Sequence, residues 1–361
     1  MNIRLASKPK KRRSKKLGMD PGTLVHVGEV KTKKPVVSLI EYSESYCEER
    51  TLEPMEVSGY KKPDNCKIWL NLHGLHDPQL IADIGKTFGL HPLVLEDILN
   101  TDQRPKADAY DDYLYIVTRS FFYDKEQNAL GSEQVSLVLG ENFVLSFQER
   151  PTGSFEPVRE RLRKGRTHIR ESGSDYLAYA LLDVVVDHYF IVLEQIGDDS
   201  ETLEDILLKQ PTTQTLHKIH RLKRESMELR RSVWPFREVL NSLIRNEHRF
   251  FKDNTLLYLR DVYDHTVHFI ESLEAIRDLL AGMLDIYLSS LSNRVNMELR
   301  TLTVVAMLFM PATLIASIFG MNFETMPWLD NPNGFWWAIS IMAGVALSMG
   351  LLFWRRQWLS R

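Results

Sequence analysis

Two stretches near the end of the chain, residues 301–321 and 334–354, contain no charged side chain. At about 1.5 Å per helical residue, each is long enough to cross a hydrocarbon layer of about 30 Å. Backbone amides inside that layer need partners within the same segment, so each run must be a helix. The spans are Thr301–Gly320 and Gly334–Trp354, joined by the short loop Met321–Asn333. The averages of 44% hydrophobic and 26% charged residues hide this uneven distribution. The remaining 300 residues or so must fold outside the bilayer, and the total of 361 exceeds one ordinary core.

Charge sets the expected orientation. The loop carries Glu324 and Asp330 but no Lys or Arg, whereas Arg294, Arg300, Arg355, Arg356 and Arg361 flank the outer ends of the spans. Excess positive charge on the inner side puts both termini in the cytoplasm of a cell (inner) membrane protein. Trp328, Trp336 and Trp337 at one interface, and Trp354 and Trp358 at the other, fit aromatic belts. The basic start has no apolar stretch behind it, so no signal peptide is expected. Eight of the 45 Lys and Arg residues fall in the first sixteen positions. Without them 37 basic residues face 48 acidic ones, a net of −11 against −3 for the whole chain. The basic arm reads as disordered, and the acidic body suits cations rather than nucleic acid. Cys47 and Cys66 are too few for a disulfide framework and fit a reducing compartment.

Ahead of the spans, residues 23–148 read as α+β or α/β with a mixed sheet between helices. β-branched runs predict strands at Leu24–Val30, Val36–Tyr42, Ile68–Leu72, Tyr113–Phe122, Gln134–Leu139 and Phe143–Phe147, with a hairpin turn at Gly140–Asn142. Asp77 as N-cap and Pro78 at the first helical position predict a helix over Pro78–Phe88, and a second follows over His91–Asn100. Helical spacing continues through Phe155–Lys164, Asp175–Leu208 and Thr212–Arg249, the last two forming an antiparallel hairpin. Its first arm carries Glu194, Asp198, Asp199, Glu201, Glu204 and Asp205; its second carries Lys218, Arg221, Lys223, Arg224, Arg230 and Arg231. Such charges either pair across the hairpin or gather divalent cations at an acidic tip. The expected division is a basic tail (1–20), a cytosolic α/β domain (21–170), the helical hairpin (171–250), a long stalk helix running into the first span (251–320), the outer loop (321–333), the second span (334–354) and a basic end (355–361).

The stalk has a stripe at Leu256, Leu259, Tyr263, Ile270, Leu273, Leu280, Leu284, Tyr287 and Leu291. Steps of three, four and seven indicate packing along one face, and self-association is the expected way of covering it. Further along, one face collects Ser292, Asn296, Leu299, Leu302 or Thr303, Ala306, Met310, Thr313 and Ser317. It is either a pore lining or a surface for close helix contact. No carboxylate lies in either span, so a passing cation would meet neutral oxygens, and Leu299, Leu302 and Met310 would form apolar constrictions. The pairs His73/His76, His217/His220 and His265/His268 each lack further zinc ligands in sequence. No nucleotide loop, nucleophile elbow or zinc-protease motif is present, so no enzyme is expected.

Gly320-Met321-Asn322 follows the first span directly. A Gly-Met-Asn tripeptide between two C-terminal spans resembles the signature of the CorA family of magnesium and cobalt transport proteins. Residues 88–98 (FGLHPLVLEDI), 103–106 (QRPK), 260–265 (RDVYDH) and 284–290 (LDIYLSS) extend the resemblance over nearly the whole chain. It implies a funnel-shaped homopentamer in membrane lipid that admits hydrated Mg²⁺, and also Co²⁺, down the electrochemical gradient. Gly320, Met321 and Asn322 would be the selectivity filter, and the first span would line the pore. Asp285 either narrows the cytosolic end of the stalk or is an exposed stalk acid. The resemblance also implies regulatory Mg²⁺ between subunits, with Asp97 facing a neighbour's Asp261, and Glu96 and Asp183 holding a second ion; Asp187 is a weaker candidate. Trp328 stands after Met326-Pro327 where the family commonly has an acid, and Leu299 where relatives often have Met. A zinc- or nickel-transporting branch of the family and a non-conducting, membrane-anchored metal sensor are the alternatives.

Overall fold

The computed structural model describes residues 18–63, 65–124, 129–165, 168–209, 211–245, 250–321 and 331–355. The basic arm, Asn322 with most of the outer loop, and residues 356–361 lie outside the described residues. The chain divides into two compact units, residues 1–203 with 217–281, and residues 204–216 with 282–361.

The first unit is built on one sheet of seven strands: β1 (Val36–Tyr42), β2 (Cys47–Leu52), β3 (Lys67–His73), β4 (Lys106–Ala109), β5 (Tyr113–Asp124), β6 (Ala129–Gly140) and β7 (Phe143–Gln148). Their order is β2-β1-β3-β7-β6-β5-β4, antiparallel except for the β3–β7 pair. Side chains alternate between two faces. One face, with Leu39, Leu70, Leu72, Val117, Val138 and Leu145, packs on helices α2 (Pro78–Phe88) and α3 (Pro92–Leu99). On the other, Trp69 meets Phe155 at the start of α4 (Glu156–Arg163), and the Thr118 hydroxyl lies 3.3 Å from that of Tyr189 of α6 (Ser174–Lys209). The Tyr189 hydroxyl donates to the Arg119 carbonyl at 2.6 Å, which fixes α6 on the sheet.

Helix α2 starts where its cap directs. The Asp77 carboxylate accepts from the amides of Gln79 and Leu80. Gly89 closes it at φ 69°. Helix α6 is apolar enough to cross a bilayer, but two-thirds of its most apolar window is buried in protein, so it is a core helix. With α7 (Thr213–Arg245) it forms the expected hairpin, and Arg221 of α7 reaches Asp199 of α6 at 3.3 Å.

Three expectations need correction. Residues 24–30 are not a strand. Val27 alone bridges to Asn100, because Gly28 adopts φ 151° and has no room for a Cβ beside the Thr101 hydroxyl. The edge strands β2 and β4 escape sequence reading because CEERTL and KADA are polar and carry no apolar period. The stalk stripe is covered differently. Helix α8 (Asp253–Phe319) runs 67 residues, about 100 Å at 1.5 Å each, and continues through Pro311. Within the first unit Leu259, Val262, Phe269, Ile270, Leu273 and Leu280 are buried by the chain itself, with Phe269 against Tyr189 and Phe190 of α6 and Glu274 paired to Arg230 of α7 at 2.9 Å. Self-association is therefore not what covers this part. From Leu291 to Thr303, by contrast, every residue is exposed.

In the second unit α8 meets α9 (Gly334–Arg355), which matches the second predicted span within a residue.

Candidate functional site

The site residues expected from sequence fall in three places. The first is a cavity of about 750 Å³ beside α3 and β4, lined by Glu96, Asp97, Lys106, Asp108, Tyr110 and residues of the 19–23 segment. Asp97 sits in the last turn of α3, whose opening is fixed by Pro92 and by His91 Nδ1 accepting from the Leu93 amide. Neither carboxylate oxygen of Asp97 lacks a partner. Oδ1 accepts from the Gln103 amide, and Oδ2 lies 2.7 Å from Lys106 Nζ. The same ammonium donates to Asp108 and stands over the Tyr115 ring. Burial works against the Lys106 charge, but its hydrogen bonds to Asp108 and Asp97 outweigh that and raise its pKa above the usual lysine value. Glu96 accepts from the Gly22 amide at 2.7 Å, which ties the N-terminal segment to α3.

The second place is the face shared by α6 and α8. Burial, reinforced by neighbouring Asp187, pushes the Asp183 carboxyl up to about 6, against the pull of Arg161 and His265. Asp261 adds to that rise and is 65% exposed, with His265 Nε2 at 4.0 Å. An exposed carboxylate is a hard oxygen donor of the kind Mg²⁺ takes. Yet no group of three or more His, Cys, Asp or Glu side chains among the described residues is close enough to hold a metal ion. Among the described residues Asp97 and Asp261 lie in different places, Asp97 in the cavity beside α3 and β4 and Asp261 on the face shared by α6 and α8.

The third place is α8 beyond Ser289. Ser292, Asn296, Leu299, Leu302, Thr303, Ala306, Met310, Thr313 and Ser317 are all exposed. The stripe that is covered is Val304, Leu308, Pro311, Ala312, Ile315 and Phe319. At about 100° per residue the two stripes lie on roughly opposite sides of the helix. Helix α9 borders the covered one: Leu308 and Ala312 line one hollow with Ala346, Leu347 and Gly350, and Ala316 and Phe319 line another with Gly334 and Ala338. The hydroxyls of Thr303 and Thr313 donate back to the Leu299 and Phe309 carbonyls at 2.8 and 2.9 Å. Asp285 is exposed on α8, as are Gly320 and Met321 at its end, while Asn322 lies outside the described residues.

The histidine pairs do not build a zinc site. Burial lowers His73 to about 4, so its ring is neutral beside Asn71 and Gln148. His265 and His268 flank the Phe190 ring, and His217 and His220 are exposed. Sequence reading quoted Lys106 but gave it no role, and it passed over Asp108. The signal was present in Lys106-Ala107-Asp108, since alternate strand residues share a face.

Residues 65–356 match the family described as "CorA-like Mg2+ transporter protein". The chain is 43% identical over 350 residues to the cobalt/magnesium transport protein CorA of Thermotoga maritima, covering 97% of this chain and 99% of that one. It is 24% identical over 293 residues to the cobalt/magnesium transport protein CorA of Methanocaldococcus jannaschii, covering 81% and 91%. The complete structure of a CorA magnesium transporter from Methanocaldococcus jannaschii superposes with a TM-score of 0.78 at 22% identity, over 91% of this chain and 99% of that one, which shows a shared fold. The related proteins are named for transport, not for catalysis.

Proposed function

The chain belongs to the CorA-like Mg²⁺ transporter family, and on that premise we propose that it is a homopentameric channel carrying hydrated Mg²⁺, and Co²⁺, into the cytoplasm. The carrying observation is the division of labour around α8. Helix α9 covers one stripe, and the opposite stripe from Ser292 to Ser317 is left open to neighbouring copies and to water. In that assembly the α8 helices enclose the pore. Leu299, Leu302 and Met310 form its narrow apolar rings, and Ser292, Asn296, Ala306 and Thr313 line the wider parts. No acid waits inside to trap the ion. Mg²⁺ sheds its waters reluctantly, so a ring of Asn322 amides with Gly320 and Met321 greets it still hydrated, holding it weakly enough to release it. The membrane potential drives entry, at roughly 4.6 kcal/mol per 100 mV for a divalent ion. Both termini lie in the cytoplasm, with residues 21–170 as the cytosolic α/β domain, 171–250 as the hairpin and 251–320 as stalk and first span.

Regulation uses the acids outside the membrane. Across a subunit boundary Asp97 of one copy meets Asp261 of the next, with Glu96 and Asp183 at a second position and Asp285 at the cytosolic end of the stalk. A bound Mg²⁺ supplies the positive charge that lets such carboxylates sit together. Their mutual repulsion loosens the assembly when the ion leaves.

Flux through the purified protein in liposomes tests the proposal. Mg²⁺ should enter when the membrane potential is negative inside, and Asn322→Ala should abolish uptake or make it unselective. Absence of flux, with Mg²⁺ still altering protease sensitivity, would make the protein a sensor and not a channel. Uptake of Zn²⁺ or Ni²⁺ in preference to Mg²⁺ would place it in another branch.

A further inference from the structure

The Asp97 cavity already contains a cation of the protein's own. Lys106 Nζ lies 2.7 Å from Asp97 Oδ2 and is bonded at the same time to Asp108 on the same strand. Both partners are partly shielded, with 35% of the Lys106 side chain and 22% of Asp97 exposed, so the pair is not a fully solvated surface contact. The ammonium is steered by the Tyr115 ring, and the Gln103 amide holds the other Asp97 oxygen.

We infer that Lys106 is a built-in competitor for the divalent cation at Asp97, and that Mg²⁺ binds there by displacing the ammonium onto Asp108. This rests on the reading of Asp97 as a regulatory ligand. The physical case is one of shared charge. A single ammonium between two carboxylates interacts with each at short range. When a divalent ion arrives at Asp97, the lysine need not be expelled into solvent, because Asp108 retains it. Asp108 therefore sets how readily Asp97 is vacated, and Lys106 sets how much Mg²⁺ is needed. Without such a competitor the acids would hold Mg²⁺ at concentrations too low to report a change. Lys106 acts as a positioning residue and touches neither the pore nor the transported ion.

The two side chains give effects of opposite sign, which makes the inference testable. The readout is the Mg²⁺ concentration at half-maximal protection of the full-length protein from chymotrypsin in mild detergent, with no flux involved. Lys106→Met should lower that midpoint about five-fold, within the range of a partly shielded ion pair. Lys106→Arg, which keeps the charge, should stay near wild type. Asp108→Asn leaves the ammonium to Asp97 alone and should raise the midpoint. An unchanged midpoint in Lys106→Met, or a shift of the same sign in Lys106→Met and Asp108→Asn, would overturn the inference. Should Lys106→Met fail to fold, Asp108→Asn decides it: a raised midpoint supports the competitor role, and a lowered or unchanged one removes it. Asp97→Asn separates the two levels. If it leaves Mg²⁺ protection intact, the regulatory reading of Asp97 itself fails. If it abolishes protection while Lys106→Met changes nothing, only the role of Lys106 falls.

Discussion

Glu133 shows how far a single side chain departs from what its letter suggests. It is fully buried on β6, and burial pushes its carboxyl up to about 7, with Arg150 at 3.9 Å opposing and Glu149 reinforcing the rise. Thr152 donates to one of its oxygens, and Lys31 is committed to Glu149 at 2.8 Å. A folded-state pKa above the unfolded value means the native state holds the proton longer. Stability conferred by this group is therefore complete below about 4.5 and is lost as pH rises through about 7. Glu133→Gln keeps a hydrogen-bonding side chain and removes that loss. Its melting temperature should exceed wild type at pH 8 and converge with it at pH 5; parallel curves across that range would contradict the assignment. No sequence signal marks Glu133, because burial of a lone acid is decided by the strands on either side. Asp97 and Asp261, by contrast, stand out in sequence because they fall within the short contiguous motifs that carry the family resemblance, and their role is the one proposed above. Lys106 does not, because its importance comes from sharing a cavity with Asp97 nine residues away.

At the scale of elements, legibility followed apolar periodicity and capping. Strands β1, β3, β5, β6 and β7 and helices α2, α6, α7 and α9 carry such patterns and appear where expected, to within a few residues at their ends. Strands β2 and β4 do not, because sheet edges are half solvated and their sequences are polar. The stripe on α8 was visible, but its partner was not: periodicity reveals that a face is covered and says nothing about what covers it. The structure assigns its upper part to α6 and α7. Phe269, fully buried against Tyr189 and Phe190, makes this measurable. Phe269→Ala should destabilise the fold by about 3–5 kcal/mol. The loss should not depend on protein concentration, as it would if another copy filled the gap. Denaturant unfolding at two concentrations checks both points.

For the whole molecule the decisive stretch is Leu291–Thr303. Leu291, Val295, Leu299 and Leu302 are exposed here, with none of the described residues covering them. A monomer would leave this apolar surface in contact with water, so assembly around it is expected. Light scattering in mild detergent should give a protein mass five times the 42.0 kDa chain. Leu299→Glu, which in the proposed pentamer would place five like charges around one axis, should lower that mass or split the species; a monomeric wild type would refute the assembly. Pro311, inside the first span, has a consequence of its own. Proline offers no amide hydrogen, so the Met307 carbonyl one turn earlier loses its usual donor. The nearby Thr303 hydroxyl is already spent on Leu299. Hydrocarbon cannot satisfy an orphaned oxygen, and the penalty amounts to several kcal/mol unless something wet or polar reaches it. Halfway through the bilayer, then, the backbone itself asks for moisture and supplies a point where the rod can bend.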